Sequence, residues 1–160
     1  MDFHVADLCD QFGDKAKVLQ PIFTDFGGKR RCYGEVVTVK CFEDNSRIKE
    51  LSQQSGFGQI LVIDAGGSDR CAVVGDMIAG DLQRNGWLGI IVFGYIRDKV
   101  ELAKLPIVVK ALGTMPCRSN KRGEGQINLP VEFANQRILP GDKMYMDEDG
   151  IIILNERVFD

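Results

Sequence analysis

Apolar residues are packed into continuous runs at the centre of the chain and spread into alternating or helical patterns towards its ends. Gln59-Ile60-Leu61-Val62-Ile63-Asp64 and Leu88-Gly89-Ile90-Ile91-Val92-Phe93 are bounded by glycines and do not alternate, so both are predicted as strands buried on both faces. Between them Met77, Ile78 and Leu82 form an apolar stripe on a helix that Asp76 can cap and that runs to Asn85, with Gly86 as terminator. The unit is a βαβ crossover with parallel strands. The loops leaving Ile63 and Phe93 then open at one carboxyl edge, where α/β proteins usually bind ligands.

Elsewhere the pattern is looser. Val5 to Phe12 has helical spacing before a polar turn, and Tyr33 to Phe42 alternates as a long, half-buried strand. Asn45-Ser46 offers an N-cap for a helix that includes Ile48 and Leu51 and ends at Gly56-Phe57-Gly58. Asp98 can cap a short helix through Leu105, followed by a strand at Ile107 to Leu112. Gly113 to Gly125 is poor in apolar residues and is predicted as a long surface loop, suited to an interface. Short strands are expected at Ile127 to Phe133, Lys143 to Met146 and Gly150 to Leu154. The prediction is an α/β domain with a parallel βαβ centre, one domain over residues 1–160.

Composition narrows the function classes. A net charge of −3 gives no general attraction to nucleic acid, and the basic runs Lys29-Arg30-Arg31 and Arg118 to Arg122 sit in loops, where short runs are usually solvated. No apolar run is long enough to span a membrane, and the first residues lack a signal-peptide pattern, so a cytoplasmic location is expected. Five cysteines at 9, 32, 41, 71 and 117 include no Cys-x-x-Cys pair and are read as free thiols. His4 is the only histidine, which rules out a Ser-His-Asp set, and no Schiff-base lysine is marked out by its surroundings. Asp64 to Arg70 lacks the glycine and lysine patterns of a phosphate loop and is read as a wall of the pocket.

Asp76 and Arg97 are separated by twenty residues, enough to run down one helix and return along one strand to the same edge. By themselves Arg97 and Asp98 describe a solvated helix start with Asp98 as its cap. Gly75-Asp76-x-x-Ala79 followed by Gly94-x-x-Arg97-Asp98 resembles, however, the family of 4-hydroxy-4-methyl-2-oxoglutarate aldolases and type A regulators of ribonuclease activity. Leu8-Cys9-Asp10, Phe26-Gly27-Gly28, Val39 to Asn45 and Pro140-Gly141-Asp142 are similar to its short bacterial members, and the likeness covers nearly the whole chain.

That resemblance implies a three-layer β/β/α fold, a ring-shaped homotrimer and sites near subunit boundaries. It implies that Asp98 holds a divalent metal, magnesium or manganese, with waters in most remaining positions. Arg97 would stabilise a pyruvate enolate, and the backbone N–H groups of Gly75, Asp76, Met77 and Ile78 would receive the carboxylate of a 2-oxo acid. Asp76 either caps its helix only or also orients Arg97 or a water on the metal. The implied activity is a lyase cleaving 4-hydroxy-4-methyl-2-oxoglutarate to two pyruvates, with oxaloacetate decarboxylase activity through the same enolate. The family's other implied activity is binding and restraint of an RNA-degrading endonuclease.

Overall fold

The two apolar runs lie side by side at the middle of a ten-stranded sheet in a computed structural model that describes residues 2–159. The chain starts with α1 (Val5–Phe12) and a 3-10 turn, then β1 (Lys17–Val18), β2 (Thr24–Asp25) and the long β3 (Cys32–Lys40). Next come α2 (Ser46–Ser52), β4 (Gln59–Asp64), β5 (Ala72–Val74), α3 (Asp76–Arg84), β6 (Gly89–Ile96), α4 (Lys99–Leu102) and β7 (Val108–Thr114). The last part adds β8 (Gln126–Ile127), β9 (Val131–Phe133), β10 (Gln136–Ile138), β11 (Lys143–Asp147) and β12 (Gly150–Ile153).

The sheet order is β1-β12-β11-β3-β4-β6-β7-β2, with β5 beside β6 and β8 beside β3. Strands β3, β4, β6 and β7 are parallel, with Val62 opposite Ile91 and Ile91 opposite Lys110. Both faces of this centre are covered, because alternate side chains point to opposite sides. Leu61, Ile63, Ile90 and Val92 pack with Ile48 and Leu51 of α2 and with Ala79 and Leu82 of α3. On the other face Ile60, Val62 and Ile91 pack with Val131, Phe133 and Ile138 of the β9/β10 ladder and with Met144 and Met146. Helices, central sheet and outer β structure make the three layers of a β/β/α fold. Ile60 through Ile63 are all 0% exposed, and burying each such side chain contributes roughly 1.5–3 kcal/mol. Helix α1 packs separately, through Val5 and Leu8, on Tyr145 and Ile152.

Several expectations need correction. Strand β6 does not stop at Phe93 but continues through Gly94, Tyr95 and Ile96, because the three residues of β5 pair with the extension, Ala72 with Tyr95 and Val74 with Ile96. The short β5 has no periodicity from which to be recognised. Ile127 to Phe133 is two strands. Asn128, at φ 63°, separates β8 on β3 from β9, which pairs with β10 across Ala134 and Asn135 at φ 52° and 63°. That turn lacks the Asn-Gly signal of a two-residue hairpin, so β10 escapes the sequence pattern. Helix α4 ends at Leu102 instead of Leu105. Among the described residues no helix is long and apolar enough to cross a membrane.

Candidate active site

At the carboxyl edge of the parallel strands is a cavity of about 220 Å³. Gly75, Asp76, Met77, Ile78, Arg97 and Asp98 all line it, so the expected site residues do converge. Strand β5 delivers Gly75 to the N-cap position of α3, and β6 delivers Arg97 and Asp98 beside it. The two strand ends are clamped together, since the Arg97 N–H donates to the Val74 carbonyl at 3.0 Å. Asp98 Oδ2 accepts the Asp76 backbone N–H at 3.0 Å. A Cβ on Gly75 would lie 2.6 Å from Asp98 Oδ2, so only glycine lets the carboxylate approach this closely.

Asp98 does not cap its own helix through its side chain, and the cap position of α3 is held by Gly75 and not by Asp76. Asp98 stands at the start of α4 but caps the start of α3, across the cavity floor. Its backbone is left-handed, φ 65° and ψ 41°, a conformation that non-glycine residues adopt at a cost and that concentrates at functional sites. Asp76 is the first residue of α3, and its carboxyl is pushed above the ordinary range. The Asp98 carboxylate does this by hydrogen bonding, followed by burial and then by like-charge repulsion from Asp98.

The remaining donors are oriented for an anion. The first turn of a helix leaves its N–H groups without intrahelical acceptors. That of Asp76 goes to Asp98, that of Met77 is shared with the Asp76 carboxylate, and that of Ile78 remains. Arg97 has only a long bond from Nη1 to the Pro116 carbonyl, 3.4 Å, and no carboxylate within 4 Å among the described residues.

The residues present fit a divalent cation. Two carboxylates in mutual contact, one raised by the other, form a donor set that such a charge neutralises. No group of three or more His, Cys, Asp or Glu converges among the described residues. A cation here would be held by Asp98, with Asp76 beside it and oxygens of water or ligand completing its shell, the pattern that magnesium tolerates.

Two of the cysteines and the buried lysine are poorly suited to act as nucleophiles. Burial pushes the thiols of Cys32 and Cys41 up to about 12. The buried Lys110 is bound to Asp25 at 2.8 Å and to the Asp147 carbonyl at 2.7 Å, on the far side of the sheet from the helices' core.

The reading of Arg118 to Arg122 as solvated surface needs correction, because Arg118 and Lys121 line the cavity together with Ser119, Asn45 and Lys49, none of which the sequence singled out as site residues. The segment expected to be a solvated surface loop is folded back on β5 and α2. The Ala72 N–H donates to the Cys117 carbonyl at 2.7 Å, the Asn45 N–H to Asn120 at 3.1 Å, and the Arg122 N–H to Asp44 Oδ2 at 2.6 Å. Asn45 is not the side-chain cap of α2. Asp44 Oδ1 accepts the Ser46 N–H at 2.9 Å, and Asn45 Nδ2 turns to the Val73 carbonyl at 3.3 Å. The loop from Asp64 to Arg70 does not wall the cavity. Its Ser68 and Arg70 instead hold Glu43, each at 2.6 Å. The contacts of residues 117–122 are long-range, so a local reading of the loop gave no signal; the Val39 to Asn45 likeness was the nearest pointer.

Comparison with known proteins shows which proteins the chain is similar to. The family profile described as RraA-like: Aldolase/RraA matches residues 5–153. A protein of Laribacter hongkongensis, provisionally named 4-hydroxy-4-methyl-2-oxoglutarate aldolase, is 50% identical over 95% of this chain and 96% of its own. The structure of the RNA-processing inhibitor RraA from Thermus thermophilis superposes with a TM-score of 0.94 at 36% identity, covering 99% of this chain and 96% of that one. A Geobacillus kaustophilus structure named S-adenosylmethionine: 2-dimethylmenaquinone methyltransferase also gives 0.94, at 40% identity, over 98% and 97% of the two chains.

Proposed function

The chain belongs to the RraA-like (Aldolase/RraA) family, and on that premise we propose that it is a divalent-metal-dependent lyase cleaving 4-hydroxy-4-methyl-2-oxoglutarate to two pyruvates. The observation that carries this reading is the corner where Asp98, Asp76 and Arg97 meet the start of α3 at one cavity. In the reaction the 4-hydroxyl loses its proton and the C3–C4 bond breaks. C4 becomes the keto carbon of one pyruvate, and the bonding pair moves through C3 to the C2 oxygen. The resulting enolate takes a proton at C3 and becomes the second pyruvate.

Arg97 stabilises the negative C2 oxygen as it develops, with a planar guanidinium held at the strand end. The Ile78 N–H, left without an acceptor at the start of α3, receives the C1 carboxylate, which the helix dipole also favours. Asp98 would hold magnesium or manganese, which would supply electrophilic pull on the 2-oxo acid. Asp76 faces Asp98 across the corner, and its carboxyl, raised by that neighbour, would be relieved of like-charge repulsion by a cation. Oxaloacetate can lose carbon dioxide through the same enolate, so its decarboxylation belongs to the reading.

We further propose a homotrimeric assembly, in which exposed apolar side chains such as Met77 and Val100, 79% and 71% exposed, would be covered. A reducing cytoplasm suits five unpaired cysteines. Purified protein is expected to release pyruvate from the methyl-oxoglutarate or oxaloacetate only with magnesium or manganese, and activity surviving thorough chelation overturns the metal assignment.

The name of the Thermus protein favours a second reading, restraint of an RNA-degrading endonuclease through a protein surface. Endonuclease inhibition by a chain with no lyase activity would put that reading first.

A further inference from the structure

Two thiols lie side by side behind the wall of the cavity. Ala72 and Arg118 form a parallel bridge, and the Ala72 N–H donates to the Cys117 carbonyl at 2.7 Å. One residue before that bridge on each segment stands a cysteine, Cys71 just ahead of β5 and Cys117 on the folded-back loop, and both are free thiols. Residues opposed in a parallel pair point to one face and sit about 4.8 Å apart, within the roughly 4.4–6.8 Å that a disulfide spans between Cα atoms. The thiols also feel each other. Burial is the first cause pushing the Cys71 thiol up, the Glu43 carboxylate follows with Arg70 acting the opposite way, and Cys117 adds to the rise.

The two segments are held in register from outside the pair. The Glu43 carboxylate accepts from Ser68 Oγ and Arg70 Nε, each at 2.6 Å, and its carbonyl accepts the Asn120 N–H at 2.9 Å. One residue thus anchors both the chain before Cys71 and the chain after Cys117. Exposure divides the roles. Cys117 is exposed and Cys71 is buried, so an oxidant in solution meets Cys117 first and Cys71 stands behind it as the resolving thiol. Cys41, also near Cys71, does not compete, because it is buried and burial pushes its thiol up to about 12.

We propose that Cys71 and Cys117 form an oxidation site for peroxides, closed as a disulfide that staples the wall of the cavity. The Cys117 thiolate attacks one peroxide oxygen and the O–O bond breaks; the sulfur becomes a sulfenic acid, and the other oxygen takes the thiol's proton and leaves as water. Cys71 then gives up its proton and attacks that sulfur. The S–S bond forms, the S–O bond breaks, and the departing hydroxide takes the Cys71 proton as a second water. Two thiols lose two electrons, and one hydrogen peroxide is reduced to two waters. Ala72 follows Cys71 and Arg118 follows Cys117, and both line the cavity, so the bond fixes that wall without touching Asp76, Arg97 or Asp98. The proposal is independent of the lyase reading.

Peptide mapping of the purified protein tests this, after treatment with hydrogen peroxide, alkylation of the remaining thiols and tryptic digestion without reduction. Cleavage at Arg70, Arg84, Lys110 and Arg118 should give residues 71–84 joined to residues 111–118, a species that dithiothreitol separates. Closing a loop of this length restrains the unfolded chain, so the oxidised protein should melt roughly 5 °C or more above the reduced one. Cys117→Ser, at an exposed position, should lose both the link and the rise in Tm. Cys71→Ser should leave Cys117 as a sulfenic acid that dimedone traps. A sulfinic acid at Cys117 with no linked peptide, a link to Cys41, or a link between residues 111–118 of two copies overturns the proposal.

Discussion

On one side of the cavity Asp44 is 1% exposed and accepts N–H groups from Ser46 at 2.9 Å and Arg122 at 2.6 Å. On the other side, Asp76 and Asp98 face each other with one backbone N–H between them. Burial alone would push the Asp44 carboxyl up, but the hydrogen bonds from Ser46, Arg122 and Glu124 outweigh it and hold it below the ordinary range. Asp76 is shifted the opposite way by its neighbour. A carboxylate saturated with donors fixes the chain, here fastening residues 117–124 to the start of α2. A pair left facing itself fixes little, but it is ready for a positive charge supplied from outside.

The largest effect is expected from breaking the second corner. Asp98→Asn suits the test because asparagine also tolerates the left-handed backbone. It is expected to cut metal-dependent pyruvate release by about a thousandfold or more, exceeding the loss of one oxyanion donor. The same variant should be as stable as wild type, or more so, because a like-charge contact is gone. Magnesium should raise the Tm of wild type and leave that of the variant unchanged. Wild-type turnover in Asp98→Asn would reduce Arg97 and Asp98 to a structural corner. Arg97→Lys should separate the roles, keeping the magnesium-linked rise in Tm while lowering turnover by roughly a hundredfold, since the charge remains but the planar fork is lost.

The two corners also differ in how well the sequence discloses them. Asp76 and Arg97 are placed at one edge because the buried runs Ile60 to Ile63 and Ile90 to Val92 define parallel strands and strand length plus helix length returns the chain there, while the chemical roles of Asp76, Arg97 and Asp98 come only from the family resemblance. What that logic misses is side-chain direction. Asp98 looks like the cap of the helix it begins and instead caps α3, a contact between residues 22 apart in sequence. Strand β5 is three residues long and is stabilised by its partners, so no local pattern marks it. Asn45 and Ser119 were hidden for a related reason. Their places depend on a polar loop that folds back on Asp44, and such loops are organised by individual long-range hydrogen bonds that leave no periodic trace.

Breaking the first corner should therefore unseat structure before chemistry. Asp44→Ala leaves the buried N–H groups of Ser46 and Arg122 without their acceptor, at a cost of roughly 2–3 kcal/mol. In a chain of this size that corresponds to a fall in Tm of roughly 5–10 °C. Magnesium should still raise the Tm of this variant, because Asp98 is untouched. A Tm within about 1 °C of wild type would mean that the loop is held by other bonds, since a change that small lies within the range of an ordinary surface substitution.

The smallest effect is a difference in pH dependence, and it compares the two corners directly. The folded pKa of Asp44 is depressed, so its contribution to stability is fully present above the unfolded value of 3.8 and is lost as pH falls through the folded value. The stability gap between wild type and Asp44→Asn, from urea titrations, should be flat near neutrality and narrow below pH 3.8. Asp76 has a raised folded pKa, so its sign is reversed. In metal-free buffer its charge destabilises the fold at neutral pH, and the penalty disappears as pH falls through the raised value towards 3.8. Asp76→Asn should therefore be the more stable protein at pH 7 and converge on wild type in acid, while Asp44→Asn is the less stable at pH 7 and also converges. Two curves of the same sign would show that Asp76 is not held against Asp98 as a charge, and would remove the electrostatic argument for a cation between them.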